Sequence, residues 1–383
     1  MLDAVRNEIA AIADMVVVKV GTRTLTGPDG ALDLGQIKSI ADQIARLRAD
    51  GRKVVLVSSG AVGAGIGRLG LTERPTDLAQ LQAAAAVGQS CLIECYNQAL
   101  EPHGLHAAQV LLTADDMHDR RRYLNARNTL RALFDYGAVP IVNENDTVRV
   151  EELRRSMGDN DRLAALVTNL IRAPLMVLLT DVEGLYDGDP SVEGSKVIPI
   201  VRELDKTVMG LAGESNHAGV RLSTGGMSSK LKAVKISTEA GENVVIANGR
   251  RPNVLPDILA GESIGTLFIA NGASVRDRKR WIGWSVHPEG KLRLDAGAEH
   301  AIAEEGGSLL AVGITAVEGE FDKGDVVSLV GPNGEEFARG QTNYSSKDVR
   351  QVAGEPTERF SEILGKWSYY EVVHRDNLTL LRA

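Results

Sequence analysis

The segment Thr224-Gly-Gly-Met-Ser-Ser-Lys230 sets two glycines, three hydroxyls and a lysine directly before a helical pattern at Leu231–Ala240, where a helix start leaves backbone N–H groups without partners. Residues of these types at such a point make a seat for a phosphate, although a Gly-rich turn capped by Thr224 or Ser228 needs no ligand. A Walker A loop is excluded, because it requires Gly-Lys-Ser/Thr in succession and Lys230 follows Gly226 by four positions. A second lysine, Lys19, interrupts the apolar run Val16-Val-Val-Lys-Val20 just before Gly21-Thr22. A lysine inside a strand is costly to bury unless a fixed anion meets it, which favours a phosphate partner over a structural ion pair.

Three further points carry polar side chains at the ends of apolar runs. Ser58-Ser-Gly-Ala61 offers hydroxyls and N–H groups to a carboxylate or a phosphate. Asn143-Glu-Asn-Asp146 is followed by Gly158-Asp-Asn-Asp161 at a helix start. Amides and carboxylates packed this densely suit an ammonium group, a carboxylate held through Asn, or a magnesium ion carried by phosphates. Either cluster alone reads equally well as an N-cap. Thr180-Asp181 ends the next run. No cysteine is placed as a nucleophile. Two lysines, hydroxyls, a Gly-Gly helix entry and acidic groups suit phosphoryl transfer, in which positioning and charge neutralisation do most of the chemistry.

Positioning such residues requires a parallel sheet, because in open α/β sheets ligands gather at the carboxyl ends of the strands. The β-branched runs Met15–Val20, Lys53–Val57, His106–Leu111, Val139–Asn143, Leu175–Thr180, Asn243–Ile246 and Thr266–Ile269 predict strands. Helical patterns lie between them. Leu34–Leu47 has an apolar stripe at Ile37, Ile40, Ala41, Ile44 and Leu47, and Leu78–Leu100 is Ala-rich and almost wholly apolar, predicting deep burial or a subunit contact. Gly65-Ile-Gly67-Arg-Leu-Gly70 matches a dinucleotide fingerprint by spacing, but it falls inside a helical pattern rather than on a strand-to-helix turn, and is discounted. The fold class is therefore α/β, a mainly parallel open sheet with helices on both faces, in a domain of residues 1–272. A charged stretch at Arg276–Arg280 with Trp281 and Trp284 reads as a linker over 273–286. Residues 287–383 read as a small β-rich domain, with runs at Leu309–Ile314, Asp325–Val330, Glu335–Gly340 and Tyr369–Val373.

The length of 383 residues agrees with two domains, at roughly 150 residues each. A net charge of −8 argues against a general nucleic-acid or membrane binder and for small-molecule or subunit partners. Cys91 and Cys95 sit in an apolar helical pattern, as core thiols of a reduced protein. The closest histidines, His103 and His106, have no third ligand beside them, so no metal site is expected. No run reaches membrane-spanning length and no basic-then-apolar segment opens the chain, which predicts a cytoplasmic location.

In order along the chain, Lys19-Val-Gly-Thr22, Ser58-Ser-Gly-Ala61, Asn143-Glu-Asn-Asp146, Gly158-Asp-Asn-Asp161, Thr180-Asp181 and Thr224-Gly-Gly-Met-Ser-Ser-Lys230 resemble the amino acid kinase family, and in particular its members that act on glutamate. The run Leu124-Asn-Ala-Arg-Asn-Thr-Leu-Arg-Ala-Leu133 fits the same members, and the carboxyl-terminal module resembles a PUA domain. This resemblance implies an amino acid kinase fold and phosphorylation of the glutamate side-chain carboxylate by ATP, with Mg2+ riding on the phosphates and no metal ligand from the protein. It implies Lys19 and Lys230 on the transferring phosphoryl, with Asp161 holding both; Ser59, Asn143, Asp146 and Asn160 on L-glutamate; and Lys19, Thr180, Asp181 and Thr224, Gly225, Gly226, Met227, Ser228, Ser229 and Lys230 on ATP. Proline as a feedback inhibitor and a homo-oligomer follow from it as well. The alternatives are a kinase of aspartate, acetylglutamate or carbamate, and an RNA-binding protein on a kinase-like scaffold. Residues 276–383 hold 14 basic and 18 acidic side chains, the wrong sign for reading a phosphate backbone, so RNA binding by this module is not expected.

Overall fold

The computed structural model describes residues 2–27, 31–148, 160–212, 226–270, 279, 281–365 and 369–381. The chain divides into two compact units, Met1–Ala273 and Ser274–Ala383. The first is built on eight strands: β1 (Met15–Val20), β2 (Lys53–Ser58), β3 (Ala107–Leu112), β4 (Val139–Glu144), β5 (Leu175–Thr180), β6 (Ile200–Val201), β7 (Asn243–Asn248) and β8 (Thr266–Phe268). They lie in the order β3-β4-β2-β1-β5-β7-β8-β6. All neighbours are parallel except β7 with β8. The sheet is thus mainly parallel, and the antiparallel β8 with the short β6 forms one edge. Each of the seven expected strands is present within two residues at either end. The two-residue β6 and the first helix, Leu2–Ile12, add to the expected elements.

The side-chain period of 2 in β1 divides its residues between two layers. Val16, Val18 and Val20 share a core with Ile37, Ile40, Ala41, Ile44 and Leu47 of helix Leu34–Ala49, and with Leu92, Tyr96 and Leu100 of helix Leu78–Leu100. Val17 and Lys19 therefore point to the opposite face, where helix Asn160–Ile171 packs across β1, β2, β4 and β5, with helix Met227–Ala240 beside it. That covered face is why Leu163–Ile171 is buried on all sides. Helix Leu78–Leu100 buries only one stripe, Ala84, Ala85, Gly88, Gln89, Leu92, Tyr96 and Leu100. The discounted glycine pattern has a packing explanation. Gly65 lies in helix Ala61–Leu69, and a Cβ there would stand 1.7 Å from the Ala84 carbonyl oxygen, while one on Gly88 would stand 1.8 Å from that of Ala61. Glycine at both positions allows the two helices to cross at backbone contact.

In the second unit β9 (Gly290–Leu294), β10 (Ile314–Gly319), β11 (Val326–Val330), β12 (Glu336–Thr342) and β13 (Val373–Leu380) form a separate sheet in the order β10-β9-β11-β12-β13. Two expected strands are corrected here. Over Leu309–Ile314 the chain makes a single bridge at Leu309 and a turn at Ala311–Gly313 before β10 begins, so the alternation of buried Leu309 and Ala311 with exposed Leu310 and Val312 belongs to a turn and not to a paired strand. Tyr369–Val373 precedes β13 rather than forming it; Tyr369 stacks edge-on against Tyr344, whose hydroxyl donates to the Tyr369 carbonyl. Trp281–Ser285 is a buried helical turn on β12 and β13.

Candidate active site

β1 lies between β2 and β5, so the chain leaves it toward one side for β2 and toward the other for β5. Such a switch point opens a crevice at the strand ends. Lys19 sits there, paired in register with Val57 on one side and Leu178 on the other. It pairs with Asp161, the second residue of helix Asn160–Ile171, at 2.6 Å from Nζ to Oδ1. Lys230 approaches the other oxygen of the same carboxylate at 3.2 Å. Ser229 Oγ lies 3.1 Å from Asp161 Oδ2 and 2.9 Å from the carbonyl oxygen of Gly226. Asp161 is wholly buried, and Lys19 and Lys230 are 5% and 7% exposed, so two ammonium groups share one carboxylate in a nearly dry site. Burial by itself would raise the Asp161 carboxyl; the charges and hydrogen bonds of Lys19 and Lys230 outweigh it and hold the group well below the usual carboxylate range. Two ammonium groups on one carboxylate leave the cluster with a net positive charge.

A second, uncharged cluster adjoins it through the preceding residue. Asn160 Nδ2 lies 2.8 Å from Ser59 Oγ and 3.1 Å from Asn143 Oδ1, joining the ends of β2 and β4. Gly60, with φ of 104°, makes the turn from β2 into helix Ala61–Leu69 in a conformation that favours glycine. Asn143 is fixed at both ends, since its Oδ1 accepts from the Glu144 N–H at 2.9 Å and its Nδ2 donates to Gln89 Oε1 at 2.7 Å. Ser58 Oγ lies 3.0 Å from the Tyr96 hydroxyl, whose ionisation burial pushes up.

The structure thus brings Lys19, Asp161, Ser229 and Lys230 into one group, and Ser59, Asn143 and Asn160 into another. Asp146 opens a turn over Asp146–Val148 that packs on helix Leu78–Leu100, half-buried at the rim. Thr180 and Asp181 end β5, beside Gly21 of β1's exit, where the Gly21 N–H donates to the Leu179 carbonyl at 3.3 Å. Asp181 accepts from Thr180 Oγ1 at 3.0 Å and pairs with Arg23 at 3.2 Å. Half-burial would raise its carboxyl, but the Arg23 guanidinium, its own N–H and the Thr180 hydroxyl together hold it low. Gly226 is the N-cap of helix Met227–Ala240 and supplies no side-chain cap, so the first-turn N–H groups at Met227, Ser228 and Ser229 are not capped by it. Thr224 and Gly225 lie outside the described residues, as do Gly158 and Asp159.

The sequence profile of the amino acid kinase family matches residues 14–248, more than half of the chain and every described residue of both clusters. The chain belongs to the amino acid kinase family. A PUA domain follows at residues 290–364. A protein of Rhodopirellula baltica named glutamate 5-kinase is 48% identical over 377 residues, spanning 98% of this chain and 96% of that one. Proteins of the same name from Pelobacter propionicus and Caldanaerobacter subterraneus are 44% and 47% identical, over 98% and 96% of this chain. Beside the candidate site stand two residues that no motif marked, Gln89 and Tyr96, which contact Asn143 and Ser58. Both sit on helix Leu78–Leu100, far in sequence from the residues they touch. The only trace of them was a polar residue at each of two positions in an otherwise apolar stripe.

Among the described residues no group of His, Cys, Asp or Glu is arranged to hold a metal ion. His103 pairs with Asp42 at 2.8 Å. Asp161, the buried carboxylate of the candidate site, is engaged by two ammonium groups, which does not suit that side chain to ligate a divalent ion. No described helix is long and apolar enough to cross a membrane.

Proposed function

We propose that the chain is a glutamate 5-kinase, which transfers the γ-phosphoryl group of ATP to the side-chain carboxylate of L-glutamate and gives L-glutamyl 5-phosphate, the first step of proline biosynthesis from glutamate. The observation that carries this reading is the buried Lys19–Asp161–Lys230 cluster at the switch point of the sheet, in a chain similar over nearly its whole length to proteins of that name. The nucleophile is a carboxylate, already ionised near neutral pH, so the reaction needs no general base. It needs cations, because an anion must approach a polyanion. Lys19 and Lys230, preorganised by Asp161, neutralise the charge that spreads over the transferring phosphoryl. Ser59, Asn143, Asp146 and Asn160 hold glutamate, and Thr180, Asp181 and the Thr224–Lys230 segment hold ATP, whose phosphates carry Mg2+.

In the same reading residues 1–272 form the kinase domain, 273–286 connect it to the second module, and 287–383 form the PUA domain, whose acidic balance favours a structural or regulatory role over RNA binding. The protein works in the cytoplasm as a homo-oligomer. Free proline competes with glutamate, since both present an α-carboxylate and an α-amino nitrogen to Ser59, Asp146 and Asn160. The test is ADP release with ATP and magnesium against a panel of glutamate, aspartate, acetylglutamate and carbamate. Glutamate should be the strongly preferred acceptor; preference for another member of the panel would reassign the substrate.

A further inference from the structure

Gln89 belongs to none of the motifs, yet it ends the chain of amides that leads out of the lysine cluster. The orientation of each amide in that chain follows from the one before. The Glu144 backbone N–H, which can only donate, fixes Asn143 Oδ1 as the acceptor at 2.9 Å. Asn143 Nδ2 must then be the atom facing helix Leu78–Leu100, and it donates to Gln89 Oε1 at 2.7 Å. Gln89 Nε2 is left as a donor, and it has no acceptor among the described residues although Gln89 is only 8% exposed. A buried donor without a partner is costly, and few native groups of this kind stand without a functional or solvent partner. The side chain is also held in place, since Gly88 beside it lies at backbone contact with Ala61 of the neighbouring helix, and the Asp146–Val148 turn packs on the same helix.

We propose that Gln89 is a substrate-binding residue whose Nε2–H donates to the α-carboxylate of the amino-acid substrate, an inference that rests on the glutamate kinase reading above. The substrate has two anionic ends. The reacting carboxylate must lie at Lys19 and Lys230, beside Asp161. The chain Asn160, Asn143, Gln89 runs away from those lysines, so the free donor at its far end meets the other carboxylate. A donor recognises an acceptor, which rules out the α-ammonium group for this contact and leaves that group to Asp146.

Two variants separate this role from simple support of Asn143. Gln89→Leu removes both the donor and the acceptor. Gln89→Glu keeps an acceptor for Asn143 and replaces the donor by a second carboxylate. With steady-state kinetics on the full-length protein, we expect each variant to raise the glutamate KM about 10-fold or more, as for loss of a hydrogen bond to a charged group. The ATP KM and kcat should change little. A melting curve for each variant checks that it is folded, and if Gln89→Leu is not, Gln89→Glu alone decides. A wild-type glutamate KM in Gln89→Glu would overturn the proposal and leave Gln89 a prop for Asn143. Equal rises in both KM values would overturn it as well. Wild-type protein that fails to use glutamate fails the underlying reading instead, and is seen before any variant is made.

Discussion

At the scale of single residues, Asp161 carries the most weight. Its carboxyl is held low in the folded protein, so the stability it contributes is fully present above the ordinary carboxylate range and is lost as pH falls through the depressed folded value. Breaking a buried ion pair by removing one partner typically costs about 3–5 kcal/mol. We therefore expect Asp161→Asn to be strongly destabilised in urea unfolding at neutral pH, with the gap from wild type narrowing as pH falls below about 4. A gap that does not change with pH would show that the carboxylate is not charged in the fold. Asp146 tests the other half of the site: Asp146→Ala should raise the glutamate KM and the proline inhibition constant together while sparing the ATP KM. A change confined to ATP would reverse the assignment of the two half-sites. Much of this site could be read from the chain, because Lys19, Asp161 and Lys230 are polar residues in places where burial is costly. Their mutual pairing follows from the family resemblance, which puts Asp161 on both lysines, and not from residue type or local pattern. By residue type alone Lys19 suits a phosphate, and its contact with Asp161 lies 142 positions away, created by the register of β1 under helix Asn160–Ile171.

At the scale of elements, the crossing of helices Ala61–Leu69 and Leu78–Leu100 fixes where Gln89 and Tyr96 point. A methyl at Gly88 would overlap the Ala61 carbonyl, whereas at Gly67 it would meet nothing within 4 Å. Overpacking usually costs about 1–3 kcal/mol, and an exposed helical Gly→Ala gains roughly 0.5–1 kcal/mol. Gly88→Ala should therefore lower stability by about 3 kcal/mol and weaken glutamate binding through Gln89, and Gly67→Ala should leave activity intact and stability equal or higher. Chemical denaturation with parallel kinetics checks both; equal behaviour of the two variants would contradict the packing. Strands with nearly continuous apolar runs, such as Val16–Val20 and Leu175–Leu179, were legible because strands buried on both faces lose alternation. Leu309–Ile314 and Tyr369–Val373 misled for the opposite reason: β-forming side chains there serve a turn and an aromatic cluster, and local composition does not distinguish these from a strand.

At the scale of the whole molecule, every residue of the two site clusters precedes Gly272, and Met1–Ala273 is a compact unit with its own core. A chain ending near Gly272 should fold and keep kinase activity; a folded, soluble truncation with none would mean that the second unit supplies part of the site. The second unit has a core of its own, centred on Leu292, Leu329, Val349 and Phe360; of its five strands β11 and β12 were legible, while β9, β10 and β13 were not, and the pairing of β9 between β10 and β11 depends on contacts no local run encodes. The central claim is that the lysine pair around Asp161 drives transfer of a phosphoryl group to the glutamate side chain. The most direct test is a single-turnover assay with ATP, magnesium and glutamate in hydroxylamine, which converts the acyl phosphate to a stable hydroxamate, run on wild type and Lys230→Ala. Lys19 still neutralises Asp161 in that variant, so we expect it to stay folded, and a melting curve checks this. We expect hydroxamate to form in step with ADP in the wild type, and about 10²-fold more slowly or less in the variant, the usual cost of losing one preorganised charge donor. ADP formed without hydroxamate, or a folded Lys230→Ala protein reacting at the wild-type rate, would contradict the account.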